Sequence, residues 1–213
     1  MIRNIIFDLG GVLLNIDFKL TIKCFRTIGV NNIEQLFSKF SQHIVFDQLD
    51  RGEISESEFH EELREITGKN LSTIKINHAW NAMLLDFPQE RIELLKKVRA
   101  NYRVFLLSNT NSIHYPTYMQ YMERSYGVKT LGDIFEKEYL SFEIGKRKPD
   151  TEAFLHVLND QNINPAETLF IDDTPFHVEG AKKTGIQGYW LDLSKENITG
   201  LFDKKGLFKN SRT

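Results

Sequence analysis

Four short runs of apolar residues, each followed at once by polar or acidic side chains, constrain the fold of this chain more than any other feature. The runs are Ile5–Phe7, Val104–Leu107, Leu169–Ile171 and Gly188–Leu191. A run this short without polar alternation is typical of a strand buried on both faces, and such strands are usually parallel. Apolar residues at helical spacing, for example Phe154 and Val157, lie between the second and third runs. This alternation of strands and helices predicts an α/β fold.

The stretch of residues 17–87 differs because it holds no strand-like run. Its Phe, Leu and Ile residues are instead spaced three and four positions apart among charged residues. The helix candidates within it are Leu20–Ile28, Ile33–Phe40, Ser55–Ile66 and Leu71–Leu85, separated by Gly29, Gly52 and Gly68. We therefore predict that residues 17–87 form a helical insertion in a core made of residues 1–16 and 88–213.

The segment of residues 174–185 predicts a further helix, with a signal at each end. Thr174 can cap it, Pro175 lies in its first turn and Gly185 follows its last turn. The last residues, 204–213, are polar and are expected to fray.

Composition excludes several classes of function for this chain of 213 residues. Its 27 Lys and Arg residues against 29 Asp and Glu give a net charge of −2, so nucleic acid and anionic membranes are not expected partners. Cys24 is the only cysteine, which excludes an internal disulfide and a cysteine-rich zinc site. Asp8 interrupts the first apolar run, and no run approaches the roughly 18 apolar residues of a membrane span. We expect a cytoplasmic protein with a small-molecule partner.

Polar residues, with two glycines among them, follow three of the predicted strands at the point where each strand ends. They are Asp8, Gly10 and Gly11 after the first run, Ser108 to Asn111 after the second, and Asp172 and Asp173 after the third. Ligands of open parallel sheets bind at the carboxyl ends of the strands, so these residues are expected to meet in one crevice. Three carboxylates there would repel one another unless a hard cation such as Mg²⁺ bound between them.

Lys148 adds a positive charge near the predicted crevice. It precedes Pro149, which fixes where the next helix can begin. Ser108 offers a hydroxyl, and the backbone N–H groups after it can face a phosphate oxygen. Each feature also has a structural interpretation, since Ser108 and the aspartates at 172 and 173 can simply begin helices. Together they favour phosphoryl transfer.

The residues just described resemble the four motifs of the haloacid dehalogenase (HAD) superfamily. The matching segments are Asp8–Leu13, Ser108–Asn111, Arg147–Pro149 and Asp172–Asp173. The resemblance implies a Rossmann-like parallel sheet core, residues 1–16 and 88–213, carrying a helical cap, residues 17–87. With Arg51–Ser55 added, the pattern is most similar to the bacterial α-D-glucose-1-phosphatase-like branch.

The resemblance also implies a role for each motif residue in a Mg²⁺-dependent phosphatase. Asp8 would attack phosphorus to give an aspartyl-phosphate that water hydrolyses. Ser108 and the Asn109 amide would hold the transferring group, and Lys148 would balance its charge. The metal ligands would be Asp8, the carbonyl of Gly10, Asp173 and, directly or through water, Asp172.

One position departs from the family pattern. Phosphatases of the superfamily usually have a second Asp two residues after the nucleophile as general acid, and here that residue is Gly10. A positioned acid is worth about 10²–10⁴-fold in rate, so we expect a leaving group that departs easily, such as the anomeric oxygen of glucose 1-phosphate. Asp17 is another candidate for the acid, and Asp47 and Glu53 flank a glycine-containing loop of the insertion that could reach a sugar.

Two other functions remain open at this stage. A 2-haloacid dehalogenase uses the same nucleophile on carbon without a metal, and a non-catalytic protein would bind a phosphate ligand without turnover. His177, four residues after Asp173, either tunes the metal site or lies on the helix surface, and we favour the surface. The partner is expected to be a small phosphorylated metabolite, and the chain a monomer or homodimer.

Overall fold

A parallel five-stranded sheet lies at the centre of the fold. The computed structural model describes residues 1–38, 41–42 and 44–209. Its strands are β1 (Asn4–Phe7), β2 (Phe37–Ser38), β3 (Ser41–Gln42), β4 (Arg103–Ser108), β5 (Lys137–Leu140), β6 (Thr168–Asp172) and β7 (Gln187–Trp190). The large sheet has the order β5-β4-β1-β6-β7, and every pair in it is parallel. The predicted α/β fold is confirmed.

The register of the central strands brings three chain segments to one edge of the sheet. Phe7, the last residue of β1, pairs with Leu106 on one side and with Ile171 on the other. Because the strands are parallel, the residues after these three positions emerge together at the carboxyl edge. Asp8, Ser108 and Asp172 therefore lie along the same crevice.

One strand of the sheet escaped the sequence analysis, which predicted four. Strand β5 begins with exposed Lys137 and half-buried Glu138, and only Tyr139 and Leu140 are buried. Because β5 lies at an edge of the sheet, it is only partly covered, and its sequence does not need to be a continuous apolar run. The other edge strand, β7, spans Gln187–Trp190, one residue earlier than predicted.

Helices cover both faces of the large sheet. The chain has the helices α1 (Phe18–Thr27), α2 (Ile33–Leu36), α3 (Ile44–Asp50), α4 (Glu56–Thr67), α5 (Thr73–Asn81), α6 (Gln89–Arg99), α7 (His114–Tyr126), α8 (Ser141–Ile144), α9 (Thr151–Gln161) and α10 (Pro175–Lys182). Alternate strand residues point to opposite faces, so Phe7 packs with α6 and α7 while Phe170 packs with α9 and α10.

The helical insertion has an apolar cluster of its own. Its largest members are Phe25, Phe46, Phe59 and Trp80, contributed by α1, α3, α4 and α5. The rings of Phe46 and Trp80 stack with centroids 4.9 Å apart. A separate cluster is what a small domain would show, but the boundaries at residues 17 and 87 stay a prediction.

The helices of the insertion agree only partly with the predicted ones. Helix α4 follows the prediction because Ser55 and Glu58 form a reciprocal capping box and Gly68 ends the helix in the left-handed region. The predicted helix Ile33–Phe40 is wrong, since α2 ends at Leu36 and β2 follows; residues 39 and 40 lie outside the described residues. Helix α3 and the short strands β2 and β3 were also not predicted from the sequence.

Candidate active site

Three carboxylates converge at the carboxyl edge of the large sheet. Asp8 follows β1, Asp172 ends β6, and Asp173 comes next in the chain. One ligand oxygen from each lies within 4.8 Å of the others. Asp8 and Asp172 are buried and Asp173 is half-buried, so the group opens to solvent on one side. The structure thus brings together the three acidic residues that the sequence singled out.

Lys148 lies between two of these carboxylates. Its Nζ donates to Asp8 Oδ1 at 2.6 Å and to Asp172 Oδ2 at 2.8 Å, and its side chain has no exposed surface. The ammonium also lies 5.2 Å from the ring centroid of Phe170. A buried cation with two charge-assisted hydrogen bonds is held in one place.

The charges in this cluster shift one another's protonation. Burial and the neighbouring charge of Asp172 raise the pKa of Asp8 to about 8, against the opposing effect of Lys148. Burial alone would raise the pKa of Asp172, but Lys148 and His177 outweigh it and lower that pKa to about 2. Burial alone would lower the pKa of Lys148, but the two carboxylates outweigh it and raise that pKa. Two carboxylates thus compete for one lysine.

The residues present fit a divalent cation. Three carboxylates face one ammonium, which leaves an excess of negative charge in a largely buried site. Oxygen donors of this kind are the ligands that Mg²⁺ prefers, commonly with a few waters and a substrate phosphate completing the shell. The carbonyl of Gly10 belongs to the same turn, and its role as a ligand stays a prediction.

The two glycines after Asp8 differ in how strongly their surroundings restrict a side chain. Gly11 has a φ of +78°, and a Cβ there would lie 2.4 Å from Asp173 Oδ2. Gly10 lacks a positive φ, but a Cβ there would lie 3.2 Å from Ile16 Cδ1. The space beside Gly10, where the family's usual acid would begin, is therefore partly filled by an aliphatic side chain.

The segment after β4 holds Lys148 in position. The side-chain amide of Asn109 donates from Nδ2 to the Lys148 carbonyl at 2.8 Å, and its Oδ1 accepts from the Lys148 N–H at 2.9 Å. Ser108, the last residue of β4, is buried beside it. With the side chain of Asn109 engaged in this way, the predicted phosphate contact of Asn109 concerns its main-chain N–H.

His177 contacts the carboxylate cluster, so our surface interpretation of this residue is wrong. Its Nδ1 lies 3.0 Å from Asp172 Oδ2, and a fifth of its side chain is exposed. Burial lowers the pKa of His177, although Asp172 opposes the effect. The predicted helix start gave a signal for this contact, because His177 is the third residue of a helix that begins at Pro175, within its first turn and close to Asp172 in the chain.

Thr174 occupies the N-cap position of α10, but its hydroxyl does not cap the helix as predicted. The hydroxyl lies 3.2 Å from Asp173 Oδ1, and the Thr174 N–H donates to Asp172 Oδ1 at 2.8 Å. Thr174 therefore helps orient two of the predicted metal ligands.

The candidate replacement acid, Asp17, is engaged in another way. It caps α1, with Oδ1 accepting from the Lys19 N–H at 2.9 Å. Of the two residues expected to flank a loop that could reach a sugar, Asp47 pairs with Arg51 and Arg147, and Glu53 is exposed. The acid role of Asp17 stays a prediction, and its capping bond does not favour that role.

A network of charged residues between the helical insertion and the core was missed by the sequence analysis. Arg147 pairs with Asp47 and lies 3.4 Å from Asp50, while Arg51 pairs with Asp150 at 2.9 Å. The partners are about 100 residues apart in the chain, so no local pattern could have shown them.

A parallel α/β core with clustered carboxylates and a buried lysine at its carboxyl edge defines a class of hydrolase. Residues 5–191 match the model of the family described as haloacid dehalogenase-like hydrolase. The chain belongs to this family. The branch resembling glucose-1-phosphatases stays a prediction.

Several relatives of the chain are named as phosphatases. It is 32% identical over 192 residues to D-ribitol-5-phosphate phosphatase of Bacteroides thetaiotaomicron, a match that covers 89% of this chain and 91% of that protein. An HAD family enzyme from the same organism, solved as an aspartate-to-alanine variant with magnesium and inorganic phosphate, has a TM-score of 0.90 and 39% identity. That match covers 96% of this chain and all of the other.

A further solved relative supports the same family assignment. An HAD-like family hydrolase from Porphyromonas gingivalis is 36% identical, with a TM-score of 0.85, and the match covers 94% of this chain and 96% of the other. The chain is accordingly a phosphatase of this family, and the prediction of Mg²⁺ as its cofactor is confirmed. Among the helices of the described residues, none has the length and apolar character needed to cross a membrane.

Proposed function

We propose that the chain hydrolyses the phosphate monoester of a small sugar or sugar alcohol, through an aspartyl-phosphate formed on Asp8. The observation that carries this proposal is the position of Lys148, which is fully buried and bonded to both Asp8 and Asp172. A cation fixed beside a nucleophilic carboxylate suits a reaction that brings a phosphate dianion against that carboxylate.

Asp8 is proposed as the nucleophile because it combines burial with an open approach from the crevice. A carboxylate oxygen of Asp8 attacks phosphorus, the bond to the leaving oxygen breaks, and water then cleaves the aspartyl-phosphate. Lys148 holds the carboxylate in place and offsets the charge that gathers on the phosphoryl oxygens. Ser108 and the main-chain N–H of Asn109 are proposed to hold the phosphoryl group.

Asp8, Asp172, Asp173 and the Gly10 carbonyl are the proposed Mg²⁺ ligands. When bound, the ion would supply further charge stabilisation of the phosphoryl group. Thr174 and His177 would act on the ligands themselves, since both contact the carboxylates of Asp172 or Asp173. Contacts of this kind commonly tune metal affinity.

The choice of substrate depends on the leaving group. Gly10 provides no acid, and Ile16 fills part of the space beside it. This supports a substrate such as glucose 1-phosphate, whose anomeric oxygen leaves with less need of a proton. The relative that is 32% identical is named for D-ribitol 5-phosphate, which has a primary alkoxide as its leaving group. Both compounds are therefore candidates, and both belong to the class proposed.

The helical insertion is proposed to act as a cap over the crevice. Its own apolar cluster and its charged contacts with the core support this role. A cap that covers the crevice would exclude water from the nucleophile until the phosphoryl group has been transferred.

A panel of phosphate esters tests the proposal. Ribitol 5-phosphate, glucose 1-phosphate, glucose 6-phosphate and p-nitrophenyl phosphate are incubated with the enzyme, with and without Mg²⁺, and released phosphate is measured. We expect Mg²⁺-dependent release that Asp8→Asn abolishes. Release that survives Asp8→Asn would refute the aspartyl-phosphate.

Two other outcomes would point elsewhere. If the panel gives no phosphate release, and a separate assay without Mg²⁺ shows chloride release from 2-chloropropionate, the result would indicate a dehalogenase. Thermal stabilisation by phosphate with no turnover of any ester would indicate a binding protein.

A further inference from the structure

The segment that follows Ser108 contacts the helical insertion as well as the phosphate site. Its His114 ring stacks on Trp80 of α5, with centroids 4.8 Å apart, and His114 Nδ1 lies 2.7 Å from Asn81 Oδ1. Ile113 belongs to the apolar cluster of the insertion. The same short piece of chain therefore carries a predicted phosphate ligand at one end and docks the insertion at the other.

Asn111 makes a second and more specific link to the insertion. Its Nδ2 donates to Asp50 Oδ1 at 3.0 Å, and its Oδ1 accepts from the His114 N–H at 3.0 Å. Asn111 is 1% exposed and Asp50 8% exposed, so neither has water as a ready substitute partner. Loss of either bond would leave a buried polar group unsatisfied.

Asp50 also contacts the segment that holds Lys148. Its carboxylate lies 3.4 Å from the guanidinium of Arg147, the residue directly before Lys148. The Lys148 main chain is in turn bonded on both sides by the Asn109 side chain. Asp50 thus contacts two segments of the core, the one after β4 and the one before α9, and each of them carries a residue of the proposed site.

We propose that Asp50, on the helical insertion, is a positioning residue: through Asn111 it fixes the segment that carries Ser108 and Asn109 when the insertion is docked. The proposal rests on the proposed phosphatase function. Its physical basis is that a buried amide with both ends bonded has one low-energy orientation, and removal of Asp50 releases it. The phosphate site is then fully ordered only with the insertion in place.

Asp150 provides a matched control for Asp50. Each is an aspartate that pairs with an arginine across the boundary between the insertion and the core, but of the two only Asp50 also accepts from Asn111. We compare Asp50→Ala with Asp150→Ala in kcat, KM and the affinity for inorganic phosphate in Mg²⁺ buffer. Melting temperatures show whether each variant is folded.

The two variants are expected to differ. Asp50→Ala should weaken phosphate binding and lower kcat/KM by about ten- to a hundredfold, the range for a lost hydrogen bond to a charged group. Asp150→Ala should change both by less than about threefold, as expected for a partly exposed ion pair. Equal losses in the two variants would overturn the proposal in favour of a general ionic contact, and unchanged constants for Asp50→Ala would overturn it outright.

An exchange of partners tests the bond itself and guards against a variant that fails to fold. Asn111→Asp places two carboxylates together and should impair phosphate binding. Adding Asp50→Asn restores a donor and an acceptor and should recover most of it. Absence of recovery would refute the link. If the wild-type enzyme releases no phosphate from any ester, the proposed function fails, but the affinity for inorganic phosphate still decides the role of Asp50.

Discussion

Replacement of Lys148 by methionine is the most informative test of how the site is held together. Methionine keeps the length and apolar stem of lysine but removes the ammonium that bonds Asp8 at 2.6 Å and Asp172 at 2.8 Å. At an effective dielectric constant of about 20, each contact is worth roughly 6 kcal/mol of attraction. The gain is offset by several kcal/mol, because burying the ammonium removes it from water.

The net cost of the substitution is expected to be about 3–5 kcal/mol, the range for removing one partner of a buried ion pair. Neutralisation of Asp8 limits the cost, since burial and Asp172 raise the pKa of Asp8 and the variant loses the Lys148 charge that opposes them. For a chain of this size, 1 kcal/mol shifts the melting temperature by about 2–4 °C. Lys148→Met should therefore melt about 6–20 °C below the wild type.

The assay is thermal and urea unfolding followed by circular dichroism at pH 7, with a chelator present so that no metal offsets the lost charge. Lys182→Met is the matched control, because the ion pair of Lys182 with Glu179 is exposed at both ends and such pairs are worth below about 1 kcal/mol. If Lys148→Met were no less stable than Lys182→Met, the account of Lys148 as the required partner of two buried carboxylates would be refuted.

Three further predictions concern the space beside the nucleophile, the docking of the insertion and acid stability. Gly10→Asp alone should gain little turnover because Ile16 Cδ1 would lie 3.2 Å from the new Cβ. Gly10→Asp combined with Ile16→Ala should raise turnover of ribitol 5-phosphate by at least about tenfold. Additive effects of the two substitutions in a double-mutant cycle would contradict this prediction. Gly52→Ala should cost more than about 2 kcal/mol in urea unfolding because its Cβ would lie 2.1 Å from a main-chain oxygen of α8, while Gly68→Ala, also at positive φ but in open space, should cost only about 1 kcal/mol. Burial lowers the pKa of His114 to about 3, so the unfolded chain binds a proton that the folded chain does not, and stability should fall as the pH drops below about 6.5. At pH 5 this amounts to about 2 kcal/mol relative to pH 7, and His114→Gln should remove that part of the difference in urea unfolding.

The parts of the fold that were predictable are those determined by local composition. Strands β1, β4 and β6 are buried on both faces, so each is a continuous apolar run, and their order in the sheet places the next residues together. Strand β5 has one buried half and an exposed start, so its sequence carries no such run. Helix α3 follows residues whose pattern predicted a longer α2, and its buried face belongs to a cluster with members from five helices.

The candidate site shows the same division. Asp8, Asp172 and Asp173 were found because each directly follows or ends a buried run. Lys148 was singled out only by its place before Pro149, since a lysine in a basic stretch is usually solvated, whereas this one is fully buried. Asp50 gave no sequence signal, because its partner Asn111 is 61 residues away.

The two adjacent glycines in the turn after Asp8 look alike in the sequence but are restricted by different physical causes. Gly11 is fixed by both conformation and contact, because its positive φ and the nearby Asp173 oxygen exclude any side chain. Gly10 has an ordinary backbone conformation and is limited only by one flexible atom of Ile16. Substitution at Gly11 must therefore disturb a proposed metal ligand, whereas substitution at Gly10 is limited by a side chain that can be shortened. Room for an acid beside Asp8 thus depends on a pair of residues, Gly10 and Ile16, so we expect the proposed leaving-group preference to change when both are mutated.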